Sequence, residues 1–90
     1  MNIHLEYRIE VFEEDGQYVA FCPELNVSSF GDSVEEAKRA LQEAVELFIE
    51  ECESMGTLKE VLSEAGFTPD PDQSSHWKCR KPVLTERVTL

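Results

Sequence analysis

The chain lacks the features that mark membrane, secreted and metal-binding proteins. It has no apolar run near the roughly 20 residues of a membrane span, and its N-terminus has no basic segment followed by an apolar core. Its three cysteines, at positions 22, 52 and 79, fit neither a disulfide framework nor paired C-x-x-C metal ligands. We therefore expect a cytoplasmic protein with reduced thiols.

Basic residues are also scarce. Lys and Arg number 8 against 19 Asp and Glu, for a net charge of −11 over 90 residues. Residues 1–66 hold 16 acids against 4 bases, whereas residues 67–90 hold 3 acids against 4 bases. Such a surface repels phosphate backbones and anionic lipid and attracts basic proteins. We expect no direct binding to nucleic acid or membrane, and a basic protein as the partner.

Motifs for catalysis or cofactor binding are missing as well. There is no Gly-rich phosphate loop, no G-x-S-x-G and no H-E-x-x-H. His76 and Cys79 could supply two metal ligands, but no further Cys or His lies nearby in sequence. Glu13, Glu14 and Asp15 could hold Mg²⁺ in principle, although acids in a turn are normally just solvated. We expect no catalytic residue, no metal and no cofactor.

The chain does contain clear strand signals. Residues 3–11 alternate apolar and polar side chains, which predicts a strand with one buried face. The pair Asp15-Gly16 suits a tight hairpin turn into a second strand at residues 18–22. Pro23 ends that strand because proline has no backbone N–H to donate. Residues 25–30 form a weaker, Ser-rich third strand, so the order predicts a three-stranded antiparallel sheet.

The sequence period then changes from 2 to 3.6, which predicts a long helix over residues 33–55. Ser33 and Glu36 have the S-x-x-E spacing of a capping box at its start. A second capping box, at residues 57–60, opens a short helix over residues 58–65.

These elements together predict an α+β fold: a three-stranded antiparallel sheet packed by one long helix, with a short helix and a C-terminal strand. Residues 68–76 read as a surface loop, and residues 83–90 return to period 2 and read as the C-terminal strand. We assign residues 1–67 to one α/β domain. Residues 68–90 belong either to the same domain or to an oligomer interface.

The long helix carries an apolar band that spans roughly 200°, wider than the ~100° that contact with one sheet needs. We therefore expect a homo-oligomer, a dimer or a tetramer. The candidate interface residues come from both sides of the band and from the C-terminal strand: Leu47, Ile49, Leu84 and Val88.

The opposite side of the long helix is nearly all acid. Glu43, Glu46 and Glu50 lie there, and Glu24 follows Pro23 in the loop after the second strand. These four are the candidate partner-binding residues. The alternative for the helix acids is an ordinary solvated face, and the residues alone leave both open.

Three motifs recur together in one known family. Tyr18-Val19-Ala20, Pro23-Glu24-Leu25 and the run GDSVEEA at residues 31–37 resemble the N-terminal domain of the HicB antitoxin family, over about residues 7–67. The resemblance implies a partial ribonuclease-H-like fold without catalytic carboxylates. It also implies a non-catalytic antitoxin of a type II toxin–antitoxin system, which masks a small basic HicA-type mRNA interferase.

Many relatives in that family carry a C-terminal DNA-binding domain. Only 23 residues follow Phe67 here, too few for a helix-turn-helix, so DNA binding is not expected. The rival interpretation is a stand-alone oligomeric domain that serves as a scaffold or small-ligand binder and has no toxin partner.

Overall fold

The computed structural model describes residues 3–90 and confirms the α+β fold: a three-stranded antiparallel sheet packed against one long helix, with a short helix and a further strand pairing. The strands and helices in chain order are β1 (His4–Glu6), β2 (Glu10–Glu14), β3 (Gln17–Cys22), β4 (Val27–Gly31), α1 (Val34–Met55), α2 (Leu58–Glu64), β5 (Thr68–Pro69) and β6 (His76–Lys78).

The predicted antiparallel sheet is formed by β2, β3 and β4, in that order. Asp15 and Gly16 both have positive φ, 51° and 82°, which identifies a two-residue turn of the I′ class between β2 and β3. The turn into β4 places Asn26 at φ 55°, a left-handed conformation that asparagine tolerates. β4 therefore begins two residues later than predicted.

Helix α1 covers one face of this sheet. Ser33 caps it as predicted, because the Glu36 N–H donates to Ser33 Oγ at 3.1 Å. Gly56 ends it in the left-handed region at φ 72°, and Thr57 N–H donates to Cys52 O at 2.9 Å. Its fully buried stripe is narrow: Ala37, Leu41, Val45, Ile49 and Cys52.

A second, small sheet joins the two ends of the chain, with strand order β1-β6-β5. β6 runs parallel to β1 and places Trp77 opposite Leu5. The predicted single strand at residues 3–11 is therefore two strands, because β1 pairs with β6 whereas β2 pairs with β3. The expected alternation of burial nevertheless holds throughout: positions 3, 5, 7, 9 and 11 are half-buried, and the positions between them are exposed.

Two predictions for the C-terminal third were wrong. The additional strand lies at residues 76–78, at the end of the expected loop, whereas residues 83–90 form no strand and all of residues 80–90 are exposed. Period-2 alternation marks a segment that can be a strand, but a strand also has to pair with an edge, and residues 83–90 pair with no strand of the described chain.

The prediction of a second capping box, at the start of α2, was also wrong. The Thr57 side chain makes no cap to α2; its Oγ1 instead donates to Cys52 O at 3.4 Å, back toward the preceding helix. Only two residues separate α1 from α2, so Thr57 serves the end of the first helix rather than the start of the second.

The core lies between α1, the main sheet and β6. Its buried members are Ala20, Cys22, Leu25, Ala37, Leu41, Val45, Ile49, Leu62, Phe67 and Trp77. The N-terminal residues Ile3, Leu5 and Tyr7 pack against this core, and Trp77 of β6 belongs to it, whereas residues 80–90 lie outside it.

Candidate protein-binding surface

A groove runs between α1 and the N-terminal segment, residues 3–7. It has a volume of about 420 Å³ and opens to solvent. Its lining consists of the inward-facing residues of the N-terminal segment and one face of the helix: Ile3, Leu5, Tyr7, Arg39, Gln42, Glu43, Val45, Glu46 and Ile49. The strand period of 2 and the helix spacings of 3 and 4 bring these positions to one place.

The floor of this groove is apolar. Ile3, Leu5 and Tyr7 pack against the core from one side, and Ile49 and Val45 close it from below. Tyr7 is half-buried here, and burial raises the pKa of its phenol, with the negative charge of Glu46 and that of Cys22 when it ionises adding to the rise. The phenol therefore stays protonated and can donate a hydrogen bond inside the groove.

The rim of the groove is acidic. Glu43 and Glu46 are exposed and lie on the helix side, with Arg39 as the one basic residue of the lining. Two of the four predicted partner-binding residues thus sit beside an apolar surface. This arrangement suits an apolar side chain of a partner that is flanked by Lys or Arg.

The other two predicted partner-binding residues lie elsewhere. Glu50 is exposed on α1 but is not among the groove residues. Glu24 is held in an ion pair: Arg8 Nε and Nη2 donate to Glu24 Oε2 at 3.1 and 2.9 Å. This hydrogen bond raises the pKa of the Arg8 guanidinium.

Glu24 lines a second cleft of about 410 Å³, together with Arg8, Arg80, Lys81 and Pro82. Its Oε1 atom is buried and has no hydrogen-bond partner within the described residues. Sequence reasoning did not find the Arg8–Glu24 pair, because its members are 16 residues apart and on different elements. The cleft around Glu24 is basic and contains neither Glu43 nor Glu46, which line the groove beside α1.

The four predicted interface residues differ in how exposed they are. Leu47, Leu84 and Val88 are 67%, 72% and 80% exposed, so they are open to a second chain. Ile49 is only 2% exposed and belongs to the core, which corrects its assignment to an oligomer interface. Leu47 and Ile49 lie on the two sides of the apolar band predicted from the sequence, and only the position of the sheet decides which of them is covered.

Two exposed aromatic residues escaped sequence reasoning. Phe12 and Phe30 are 51% and 65% exposed, and both lie opposite Val19 in the main sheet. The next row, Val11 and Ala20, faces the core, so Phe12, Val19 and Phe30 form a row on the outer face, away from α1. The alternation of exposed and half-buried positions along β4 could have predicted that Phe30 faces outward. Phe12 could not have been found in this way, because the first strand was predicted to end at residue 11.

Groups that could support chemistry are few. His4 and His76 face each other across β1 and β6 with ring centroids 4.4 Å apart. Over residues 3–90, no three His, Cys, Asp or Glu side chains gather in a way that could hold a metal ion. All three cysteines are free thiols, and burial raises the pKa of the Cys22 thiol. Among the described helices, none has the length and apolar character to cross a membrane.

Comparison of the chain with protein-family models, with curated proteins and with solved structures finds no significant match. The HicB resemblance therefore rests on the sequence motifs themselves.

Proposed function

We propose that this protein is a non-catalytic inhibitor that docks a basic protein on the groove between α1 and residues 3–7. The observation that carries the proposal is the combination of an apolar floor with the exposed carboxylates of Glu43 and Glu46 at its rim. A net charge of −11 favours the approach of a cationic partner to this surface.

The two parts of the groove have different tasks in binding. The rim carboxylates steer the encounter and act mainly on the association rate, whereas the apolar floor retains the partner once it is docked. Steering weakens with salt because the Debye length falls from about 10 Å at 0.1 M to about 3 Å at 1 M ionic strength. The association rate should therefore fall with rising salt much more than the dissociation rate changes.

The sequence motifs suggest what the partner is. A HicA-type toxin is a small basic ribonuclease, and an antitoxin of the HicB family neutralises it by masking its active surface. The composition of this chain agrees with such a partner independently of the motifs. A cytoplasmic location with reduced thiols belongs to the same proposal, since Cys22, Cys52 and Cys79 are unpaired.

The test uses a charge reversal with a matched control. Glu43→Lys with Glu46→Lys changes the groove rim, whereas Glu60→Lys with Glu64→Lys makes the same charge change on exposed positions of α2. With the proposed partner, a basic ribonuclease whose gene would lie beside this one, the groove variant should associate about tenfold more slowly at low salt and lose inhibition of RNA cleavage. The α2 control should retain both to within a few fold.

Equal losses in both double variants would mean that net charge alone acts and that the groove is not the docking surface. Unchanged binding in the groove variant would reject the groove outright. If the neighbouring ribonuclease does not bind the wild-type chain at all, the antitoxin proposal itself fails. Glu50→Lys, measured in the same way, reports whether the contact extends along α1 beyond the groove.

The proposed absence of catalysis has its own test. Purified protein should not cleave RNA in the presence of Mg²⁺, because the acids at positions 13–15 lie around a hairpin turn and gather no further ligand among residues 3–90. Cleavage that persists through purification and is abolished by Glu10→Gln or Asp15→Asn would contradict this.

One observation favours the rival function, a small-ligand binder or scaffold without a toxin. The groove volume of about 420 Å³ falls in the range of small-molecule sites, although it is open on one side. Under that alternative, a ligand would raise the melting temperature of the isolated protein, and Leu5→Ala would abolish the shift while no basic protein bound.

A further inference from the structure

The chain has only two histidines, and the fold brings them into contact. The parallel pairing of β1 with β6 places His4 directly opposite His76, and their ring centroids are 4.4 Å apart with the ring planes tilted by 36°. The sequence did not predict this pair, because its members are 72 residues apart. It grouped His76 with Cys79 instead, but Cys79 packs against the core, whereas His76 lies on the other face of the strand beside His4.

The backbone beneath the two rings is held on both strands. His4 N–H donates to Ser75 O at 2.9 Å, and His76 N–H donates to Gln73 O at 2.9 Å. On the far side of β6, Asp70 N–H donates to His76 O at 2.7 Å. His4 is exposed and His76 is half-buried, so both rings can be reached from solvent while the positions that carry them stay fixed.

The charges around the pair favour a cation. A pocket of about 220 Å³ beside the two rings is also lined by Glu6 and Lys78. Lys78 Nζ lies 3.7 Å from Asp70 Oδ2, so the positive charge of this lysine is offset. Glu6 is exposed and lies two residues from His4, on the same side of β1. The net charge of −11 adds to the attraction of a cation.

Two imidazoles select which cation. Imidazole nitrogen suits late first-row divalent metals, whereas Mg²⁺ and Ca²⁺ take oxygen ligands. Metal–nitrogen bonds of about 2.0–2.1 Å place two neighbouring ligand nitrogens roughly 3.0–3.4 Å apart. Rings whose centres are 4.4 Å apart can reach this separation by rotation about χ2, a torsion with broad minima, and the exposed ring of His4 is free to rotate. No three His, Cys, Asp or Glu side chains form a metal-holding group among residues 3–90, so water fills the remaining coordination positions.

We propose that His4 and His76 together chelate one divalent transition-metal ion, of the class of Ni²⁺, Cu²⁺ and Zn²⁺, on the exposed side of the β1–β6 pair. The ion bridges two strands that are distant in sequence, so it stabilises their pairing. Ile3 and Leu5 of the groove lie in the same segment as His4, so the ion also holds that wall of the groove in place. Metal binding is a property of the isolated chain and does not depend on the docking of a partner.

The first experiment is a calorimetric titration of the purified chain with Ni²⁺. The wild type should bind one Ni²⁺ per chain with a dissociation constant in the micromolar range, and an equal concentration of Mg²⁺ should not compete. His4→Gln and His76→Gln should each raise the dissociation constant about tenfold or more, because one imidazole cannot chelate. The fold should tolerate His4→Gln, since this side chain is exposed.

Two control variants remove the other groups that could attract the ion. Cys79→Ser removes the one thiol that is not buried, and Glu13→Gln with Glu14→Gln removes two acids of the β2 hairpin. Neither control should change the dissociation constant for Ni²⁺ by more than about twofold, because these side chains are not part of the site.

The second experiment locates the ion. Trp77, the only tryptophan of the chain, is the neighbour of His76. Ni²⁺ has a partly filled d shell and quenches the fluorescence of a nearby indole, whereas Zn²⁺ has a filled d shell and does not. Ni²⁺ should therefore quench Trp77 with saturation, and Zn²⁺ should reverse the quenching by displacement. Ni²⁺ should also raise the melting temperature of the wild type but not of His4→Gln, because the unfolded chain does not hold the two rings together.

Several results would overturn the proposal. Absence of saturable Ni²⁺ binding at submillimolar concentrations would leave the two rings as a packing contact alone. Binding that survives His4→Gln unchanged would mean that acids, thiols or a single imidazole hold the ion. Displacement of Ni²⁺ by an equal concentration of Mg²⁺ would identify carboxylate ligands and would likewise reject the histidine pair.

Discussion

Replacement of Gly31 by alanine tests how closely helix α1 is seated on the main sheet. Gly31 is the last residue of β4, and it is buried beneath the first turn of α1. A Cβ atom at this position would lie 2.7 Å from Ala37 N and 2.9 Å from Glu36 Cβ. Neither atom can rotate away, and Ala37 N–H donates one of the first helical hydrogen bonds, to Ser33 O at 2.9 Å.

The magnitude follows from two opposing terms. Overpacking against atoms that cannot move costs about 1–3 kcal/mol, while the loss of chain freedom in the unfolded state returns about 0.4–1 kcal/mol. With both terms near the middle of their ranges, the net loss in the free energy of unfolding should be about 1–2 kcal/mol. For a domain of 60–100 residues this corresponds to a drop in melting temperature of about 4–16 °C.

The assay is urea and thermal unfolding followed by circular dichroism. Ser28→Ala is the matched control, since it lies on the same strand and is exposed, and it should stay within about 0.5 kcal/mol of the wild type. A Gly31→Ala protein as stable as this control would refute the reasoning, because it would mean that the helix and β4 are not in the close contact on which the fold depends.

Four further outcomes are expected. Ser33→Ala should lower the free energy of unfolding by about 1 kcal/mol because it removes the cap of α1, whereas Thr57→Ala should cost less than about 0.5 kcal/mol because Thr57 caps no helix N-terminus. Phe48→Ala should cost about 1–3 kcal/mol in urea melts rather than the 3–5 kcal/mol of a fully buried ring, because Phe48 is only partly buried. Burial raises the pKa of Cys22 above its ordinary 9.0, so above pH 9 the thiol ionises in the unfolded chain while it stays protonated in the folded one. The contribution of Cys22 to the free energy of unfolding should therefore be full below pH 9 and fall as the pH rises above 9. Cys22→Ala should make this fall less steep. In the native protein Cys79 should react first with a thiol reagent, and a reaction of Cys22 at the same rate would contradict its burial.

Features that depend on a few neighbouring residues were determined by the sequence alone. The Asp15-Gly16 turn and the Ser33 cap of α1 both agree with prediction, because each needs a particular backbone conformation or hydrogen bond that its own residues favour. The antiparallel sheet followed, since the hairpin turn sets its register. The alternation of burial along residues 3–11 was likewise predictable, because it depends only on which side of the strand is apolar.

Tertiary structure decided which distant segments meet. β6 pairs with β1 at a separation of 72 residues, and this pairing buries Trp77 and divides the first predicted strand in two. Alternation shows that a segment can be a strand but does not identify its partner, so the sequence favoured residues 83–90 over residues 76–78. The local pattern also could not distinguish the buried Ile49 from the exposed Leu47, because the two lie on opposite sides of the predicted apolar band.

The candidate site shows the same division. Glu43 and Glu46 were found as acids on the exposed side of a helix, but the apolar floor beside them exists only because β1 is brought alongside α1. Glu24 was predicted from its charge and its place in a motif, but in the folded chain it forms an ion pair with Arg8, 16 residues away. Charge and periodicity are properties of single segments, whereas a groove or an ion pair requires two segments at a defined distance, and that distance is set by the packing of the whole core.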